Sequence, residues 1–152
     1  MDFQVIGMRG DTSFDDIVRH FTSKGGDVVL MDPNRVIGKG HILSAANHAE
    51  RAFAEGTNRS KTVLTEIILY AAWERQISKA LTKMKPKEGR NEYVALLIDI
   101  ADPELDAIGM TRDDSLIDAT DSKAERLGLK KGPISYEDQA IENVALVELL
   151  KT

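Results

Sequence analysis

The chain has 152 residues, of which 42% are hydrophobic and 30% are charged, and this composition is that of a globular protein rather than a disordered or fibrous one. It contains no cysteine, which excludes a disulfide framework, a cysteine nucleophile and every cysteine-ligated metal site. The net charge of −5 argues against a general nucleic-acid binder.

The charge is distributed unevenly along the chain. Residues 51–90 contain nine Lys and Arg against four Glu, a local charge of +5, whereas residues 91–152 contain six basic and fourteen acidic residues, a local charge of −8. Salt screens charges that lie more than about 8 Å apart, so a basic patch on an acidic protein can still attract phosphate. The middle third is therefore the candidate surface for a polyanion.

The N-terminus, MDFQVIGMRGD, lacks the basic and apolar segments of a signal peptide. The longest apolar run, residues 67–73, is far shorter than the roughly 20 residues that cross a bilayer. We expect no membrane span and no membrane partner. The expected location is the cytoplasm, and also the nucleus if the source is eukaryotic.

The predicted elements alternate between strand and helix. They are a strand within residues 2–10, a helix within 11–26, a strand within 27–33, a helix within 40–56, two helices or one bent helix within 57–86, a strand within 91–103, a short helix within 121–129 and a last helix within 135–152. Thr12 or Ser13 is the predicted N-cap of the first helix, with Gly25 as its C-cap, and Gly56 ends the second. The helices after Gly56 should meet near Trp73.

This order of elements predicts one α+β domain over residues 1–152. Its sheet should be small and mostly antiparallel, with about three strands packed against several helices. The strand within residues 91–103 is apolar on both faces from Val94 to Ile98, which predicts a central position.

The sequence offers no convincing catalytic centre. His48 and Glu50 form an H-x-E pair, but the cysteines of a zinc deaminase are absent, and we interpret His48 as a surface helix residue. The loop of residues 38–40, GKG, lacks the other residues of a P-loop, and the aspartates within 99–121 lack the spacing of a calcium loop. We expect no metal, no cofactor and no small-molecule substrate.

A basic ridge is predicted on the helix that follows Trp73. Lys79 and Lys83 follow Arg75 at i+4 and i+8, and the three side chains therefore share one side of the helix. Apolar residues at 77, 80, 81 and 84 share roughly the opposite side. A solvated helix face is the alternative interpretation of this pattern.

Residues 56–81, GTNRSKTVLTEIILYAAWERQISKAL, resemble the signature region of the small kinase-binding subunit of the KEOPS/EKC complex, known in eukaryotes as the PRPK-binding protein. The shared features are a Gly-x-Asn turn at Gly56 and Asn58, Lys61, Glu66 leading into an E-I-x-L-Y-A helix, and the tripeptide Arg75, Gln76 and Ile77. The resemblance in length and element order covers nearly the whole chain. The family tends to place a small residue or glycine before R-Q-I, where this chain has Trp73 and Glu74.

The resemblance implies a noncatalytic accessory subunit of the complex that makes threonylcarbamoyladenosine (t6A) in tRNA. Members of the family bind and activate the complex's atypical kinase/ATPase by docking on its N-terminal lobe. In archaea they are also implicated in holding the 3′ acceptor end of the tRNA. The implied partners are therefore a kinase and tRNA.

The last helix is the predicted kinase-docking surface. Its apolar residues cover nearly the whole circumference, and such a helix must be covered on more than one side. The predicted kinase-binding residues are Ile141, Val144, Leu146, Leu149 and Leu150. Complete burial inside the domain is the alternative interpretation.

The predicted tRNA-binding residues are Lys61, Arg75, Gln76, Lys79 and Lys83. Arginine can bind phosphate bidentately and stack on an unpaired base, and glutamine can read a base edge, which suits a single-stranded 3′ end. Alternatively, Arg75 and Gln76 satisfy backbone groups at the helix bend, with Glu66 or Glu74 as ion-pair partner. A small enzyme with a carboxylate base, or a phosphate-binding regulatory domain that uses the basic ridge at 61–83, is the rival class.

Overall fold

The strands and helices follow the order that the sequence predicts, with one additional short strand after the third. The computed structural model describes residues 1–151, which contain six α-helices and four strands. In chain order the elements are β1 (Phe3–Arg9), α1 (Phe14–Ser23), β2 (Asp27–Met31), α2 (Lys39–Glu55), α3 (Val63–Ala71), α4 (Ile77–Met84), β3 (Glu92–Ile98), β4 (Thr111–Arg112), α5 (Asp121–Arg126) and α6 (Tyr136–Leu150). Short 3₁₀ turns occupy Pro33–Arg35, Leu105–Ile108 and Asp114–Ile117. No helix within the described range is both long and apolar enough to span a membrane.

The four strands form one antiparallel sheet in the order β2-β3-β1-β4. Phe3 of β1 pairs with Ile98 of β3, and Met31 of β2 pairs with Val94 of β3. The α+β fold and the interior position of β3 are thus confirmed. The sheet has one strand more than the three expected, because β4 is only two residues long and too short to show a period of two.

The sheet separates two apolar layers. Val5, Val29 and Leu96 face the layer that contains α2, α3, α4 and α6, whereas Ile6 and Leu97 face α1 and the turns after β3. Successive strand residues point to opposite faces, so a strand between two layers is apolar throughout. This arrangement explains the continuous apolar run of β3.

The helix ends follow the predicted capping residues with one correction. Ser13 caps α1 by accepting a hydrogen bond from the Asp16 amide at 3.2 Å, and Gly56 caps α2 in the left-handed conformation, with φ 71°. The prediction of Gly25 as the C-cap of α1 was wrong by one residue. Lys24 is the C-cap because it keeps right-handed dihedral angles, and Gly25 is the first residue with positive φ, at 91°.

The loop of residues 38–40 starts α2 and is bound by a carboxylate from α6. The Gly40 amide donates to Glu137 Oε2 at 2.7 Å. Gly38 has φ 86°, and a Cβ at this position would come within 2.2 Å of the same oxygen. Helix N-termini attract anions, and here the anion belongs to the chain itself. The contact fixes α6 against α2.

Lys123 fastens α5 to the rest of the fold. Its ammonium group donates to the backbone oxygens of Val36, Leu116 and Asp118 at 3.1, 2.7 and 2.8 Å. A lysine ammonium has three hydrogens, so each of them has an acceptor. The side chain therefore joins α5 to two turns, one of which precedes α2, and nothing in the local sequence marks it as buried.

Candidate functional site

Helix α6 has a buried side and an exposed apolar side. Val144 and Val147 are fully buried and belong to the core beneath the sheet. Leu146, Leu149 and Leu150 are 51%, 72% and 46% exposed. Residues at spacings of three and four lie on the same face of a helix, so the three leucines form one surface, called here the leucine surface.

The five predicted kinase-binding residues divide between these two sides. Leu146, Leu149 and Leu150 form the leucine surface, and Ile141 is half-buried. Val144 is completely enclosed, so a partner could contact it only if α6 left the fold. The sequence pattern could not separate the two sides because both are apolar.

A buried ion pair fastens the end of α6 to α3. The Glu66 carboxylate is fully buried and lies 2.5 Å from Lys151 Nζ. It also accepts hydrogen bonds from the Arg59 and Ser60 amides, at 3.1 and 2.8 Å. Lys151 in turn donates to the Tyr70 hydroxyl at 2.8 Å. Glu66 therefore organises the loop before α3 and the end of α6 together.

Tyr70, Glu148 and His48 extend this connection to α2. The Tyr70 hydroxyl donates to Glu148 Oε1 at 2.7 Å, and the His48 ring stacks on the Tyr70 ring at 5.3 Å between centroids. Burial raises the pKa of Glu148, but hydrogen bonds from Tyr70 and His48 and the charge of Lys151 outweigh it and lower the pKa. The leucine surface thus stands on a helix whose last turn is held by charged and aromatic contacts.

His48 and Glu50 do not form a common site. His48 Nδ1 lies 3.2 Å from Glu148, whereas Glu50 pairs with the N-terminal ammonium at 3.1 Å. The interpretation of His48 as a surface residue was wrong, since its side chain is only 17% exposed between Tyr70 and Glu148. Its sequence pattern contained no sign of these partners, which lie on other helices.

Two helices meet at Trp73, as predicted. The chain turns there because Trp73 adopts a positive φ of 58°, a conformation that favours glycine. The Lys83 ammonium donates to the Ala72 carbonyl at 3.2 Å and pairs with Glu74 at 2.9 Å. The end of α3 is therefore closed by a side chain of α4.

A buried histidine, His41, also binds a carbonyl group at the end of α3. His41 Nε2 donates to the Ala71 carbonyl at 2.9 Å, and Nδ1 accepts from the Ile37 amide at 3.0 Å. Acceptance at Nδ1 requires the neutral ring, because both nitrogens of a protonated ring are donors. Burial, with a smaller contribution from the charge of Lys123, lowers the pKa of His41 to about 4. The ring also lies 5.3 Å from that of Trp73.

Four of the five predicted tRNA-binding side chains are exposed. Lys61, Arg75, Gln76 and Lys79 make no side-chain hydrogen bond or ion pair with any residue that the structure describes. Lys83 is half-buried and is engaged with Glu74 and Ala72. Lys79 and Lys83 line one cleft. The prediction of a helical ridge that includes Arg75 was wrong, because α4 begins only at Ile77 and Arg75 lies in the turn before it. Lys61 precedes α3 at its other end.

The alternative account of Arg75 and Gln76 does not match the structure. Glu66 pairs with Lys151 and Glu74 pairs with Lys83, so neither carboxylate is the partner of Arg75. The backbone oxygens at the end of α3 are bound by other side chains. Arg75 and Gln76 are thus not needed to close the bend.

An α+β scaffold with a leucine surface and several exposed basic side chains without internal partners is typical of a protein that acts by binding partners. The family model described as kinase binding protein CGI-121 matches residues 13–148, and the chain belongs to this family. A search of the curated proteins finds no significant match. The family confirms the resemblance carried by residues 56–81, and its description makes a kinase the class of partner and a binding role the class of function.

Proposed function

We propose that this protein is a noncatalytic accessory subunit of a KEOPS complex that makes t6A in tRNA. It binds and activates the kinase/ATPase subunit through the leucine surface. The observation that carries this proposal is the exposure of Leu146, Leu149 and Leu150 on a helix whose opposite side lies in the core. The kinase-binding description of the family supports the choice of partner.

The leucine surface combines exposed apolar side chains with a charged residue at its edge, as protein-docking sites do. Complete burial of a leucine side chain contributes roughly 1.5–3 kcal/mol before the costs of association. Glu142 is exposed and lies one turn before Leu146 on α6. We expect the kinase N-terminal lobe to offer an apolar groove with a basic residue beside it.

Capture of the purified kinase subunit tests the docking proposal. Leu146→Arg and Leu149→Arg should each weaken binding by roughly thirtyfold or more, because a charge replaces an apolar contact of about 2 kcal/mol. Phe14→Arg is the matched control, since Phe14 is 43% exposed at the start of α1, across the sheet from α6. The circular dichroism spectra of both α6 variants should match that of the parent, which would show that they remain folded.

Val144→Arg separates docking from folding. This variant should unfold the protein, because Val144 is fully buried and the new charge would have no partner. Folded Leu146→Arg and Leu149→Arg proteins that still capture the kinase as the parent does would contradict the docking surface. A catalytic activity that survives extensive purification of the isolated subunit would contradict the noncatalytic role.

We further propose that Lys61, Arg75, Gln76, Lys79 and Lys83 contact the 3′ acceptor end of tRNA. The support is their exposure, the lack of internal partners for all but Lys83, and the local charge of +5 over residues 51–90. Basic side chains without partners can neutralise phosphates and release counterions. Gln76, at the N-cap of α4 without a capping hydrogen bond, is available to a base edge.

A gel-shift assay with full-length and 3′-truncated tRNA tests this contact. Arg75→Glu should weaken binding of the full-length tRNA by roughly tenfold and reduce the salt dependence by about one counterion. Arg19→Glu on α1 is the control, because Arg19 is also exposed but pairs with Asp16 on the other side of the sheet. Equal binding of the two tRNAs, or no response to salt, would contradict a contact with the 3′ end.

A further inference from the structure

A small cleft lies where the bend between α3 and α4 meets two distant segments of the chain. Its volume is about 200 Å³, and Ala71, Met84 and Leu127 form apolar walls. Three cationic side chains also line it, one each from the 3₁₀ turn after β2, from α4 and from α5. These are Arg35, Lys83 and Arg126.

The cations of this cleft are only partly neutralised. Lys83 pairs with Glu74, but the guanidinium groups of Arg35 and Arg126 have no ion pair or hydrogen bond within residues 1–151. Three cations and one carboxylate leave a local charge of +2. Like charges that converge in one cleft repel one another, and a bound anion would relieve the repulsion.

Trp73 is the second unusual feature of the cleft. It is the single tryptophan of the chain and adopts a φ of 58°, which is rare for a bulky residue. Its indole Nε1–H is buried and has no acceptor among the described residues. Buried donors without partners are uncommon, and backbone strain accumulates at functional sites. Strain, an unpaired donor and unpaired cations thus coincide at one place.

We propose that this cleft binds a phosphoryl group in its dianionic, monoester form, as in inorganic phosphate or a nucleoside monophosphate. Such a group carries a charge of about −1.5 to −2 at pH 7, which matches the +2 of the cleft. Guanidinium groups bind phosphate oxygens bidentately, and two of them are available. The volume lies below the roughly 300–1,000 Å³ of sites for larger ligands, which favours one charged group.

This site goes beyond the proposed partners, because neither kinase docking nor contact with tRNA requires a pocket for a free phosphate. A phosphodiester of an RNA backbone is the other source of phosphoryl oxygens. It carries a single negative charge and would leave a charge of +1 in the cleft. The charge balance therefore favours the monoester.

The single indole N–H resonance of the ¹⁵N-labelled protein tests the proposal. Titration with inorganic phosphate should shift this resonance in a saturable manner, whereas sodium chloride at matched ionic strength should not. Arg126→Ala should weaken phosphate binding by roughly tenfold, the loss expected for one charged hydrogen-bonding group. Arg35→Ala should act similarly, and Arg19→Ala on α1 should have no effect.

Arg126 is exposed at the end of α5, so its variant should fold even if Arg35→Ala does not. A shift that follows ionic strength for any anion, or unchanged phosphate affinity in folded Arg126→Ala, would overturn the site.

Two further ligands separate the sources of the phosphoryl group. Adenosine monophosphate should bind at least as tightly as phosphate. A short oligonucleotide without terminal phosphates can reach Lys83 on the proposed tRNA surface, but its binding should be the same in Arg126→Ala as in the parent. Binding of the oligonucleotide without binding of phosphate would overturn the monoester assignment. Kinase capture by Arg126→Ala should equal that of the parent, since the leucine surface is elsewhere, so failure of this site and failure of kinase docking give different results.

Discussion

Glu66 and Arg75 lie nine residues apart in the segment that resembles the family signature, and their surroundings are opposite. Glu66 is completely buried and binds two backbone amides and the Lys151 ammonium. Arg75 is exposed, and its side chain makes no polar contact within the described part of the chain. One charged residue of the segment specifies the fold, and the other is available to a partner.

The difference in burial determines how much the free energy of unfolding changes when each residue is replaced. A buried charge that loses its partners costs several kcal/mol, because the protein interior does not solvate it as water does. An exposed charge is solvated before and after substitution, so its removal changes little. Substitutions along this segment should therefore have graded effects on the free energy of unfolding.

Glu66→Ala should have the largest effect. It leaves the Arg59 and Ser60 amides without their acceptor and the Lys151 ammonium without its counterion, and we expect a loss of about 3–5 kcal/mol. Urea denaturation followed by circular dichroism measures it. Glu125→Ala, at an exposed position of α5, is the control and should change stability by less than about 0.5 kcal/mol. Similar losses of stability in Glu66→Ala and Glu125→Ala would contradict the structural role of the buried carboxylate.

His41 should make the bend between these two residues sensitive to acid. Its folded pKa of about 4 lies below the unfolded value of 6.5, so the neutral ring stabilises the fold fully above pH 6.5. This contribution should be lost as the pH falls from about 6.5 towards 4 and amounts to about 3 kcal/mol. Stability curves of the parent and His41→Gln measure it, because glutamine does not titrate. Parallel pH profiles of the two proteins would contradict this role.

Substitutions of Trp73 test whether the backbone at the bend has a positive φ. Trp73→Gly and Trp73→Ala lose the same ring, but only glycine adopts a φ of 58° without a steric cost. The glycine variant should therefore be more stable than the alanine variant by about 1 kcal/mol, as measured by urea denaturation. An alanine variant of equal or greater stability would show that residue 73 does not hold the left-handed conformation in solution.

Arg75→Ala should have the smallest effect on stability. We expect a change of less than about 0.5 kcal/mol in the free energy of unfolding, because the side chain has no internal partner. The same denaturation measurement applies. A loss of 2 kcal/mol or more would show that Arg75 supports the fold as Glu66 does.

The sequence by itself determined the class of fold, the position of the helices and the bend at Trp73. These features depend on local signals, namely the apolar period of each helix, caps such as Ser13 and Gly56, and the unbroken apolar run of β3. A local signal lies within a few residues, so it can be read without knowing what packs against it.

Tertiary structure decided which side of each element meets solvent and which distant groups become partners. Val144 and Leu146 are both apolar and two residues apart, but only the packing of α6 buries one and exposes the other. Glu66 and Lys151, and the cations Arg35, Lys83 and Arg126, come from separate parts of the chain. A periodic pattern indicates that a face is apolar or charged, but it does not indicate which distant segment covers that face. Contacts between distant residues form only when the helices pack against the sheet.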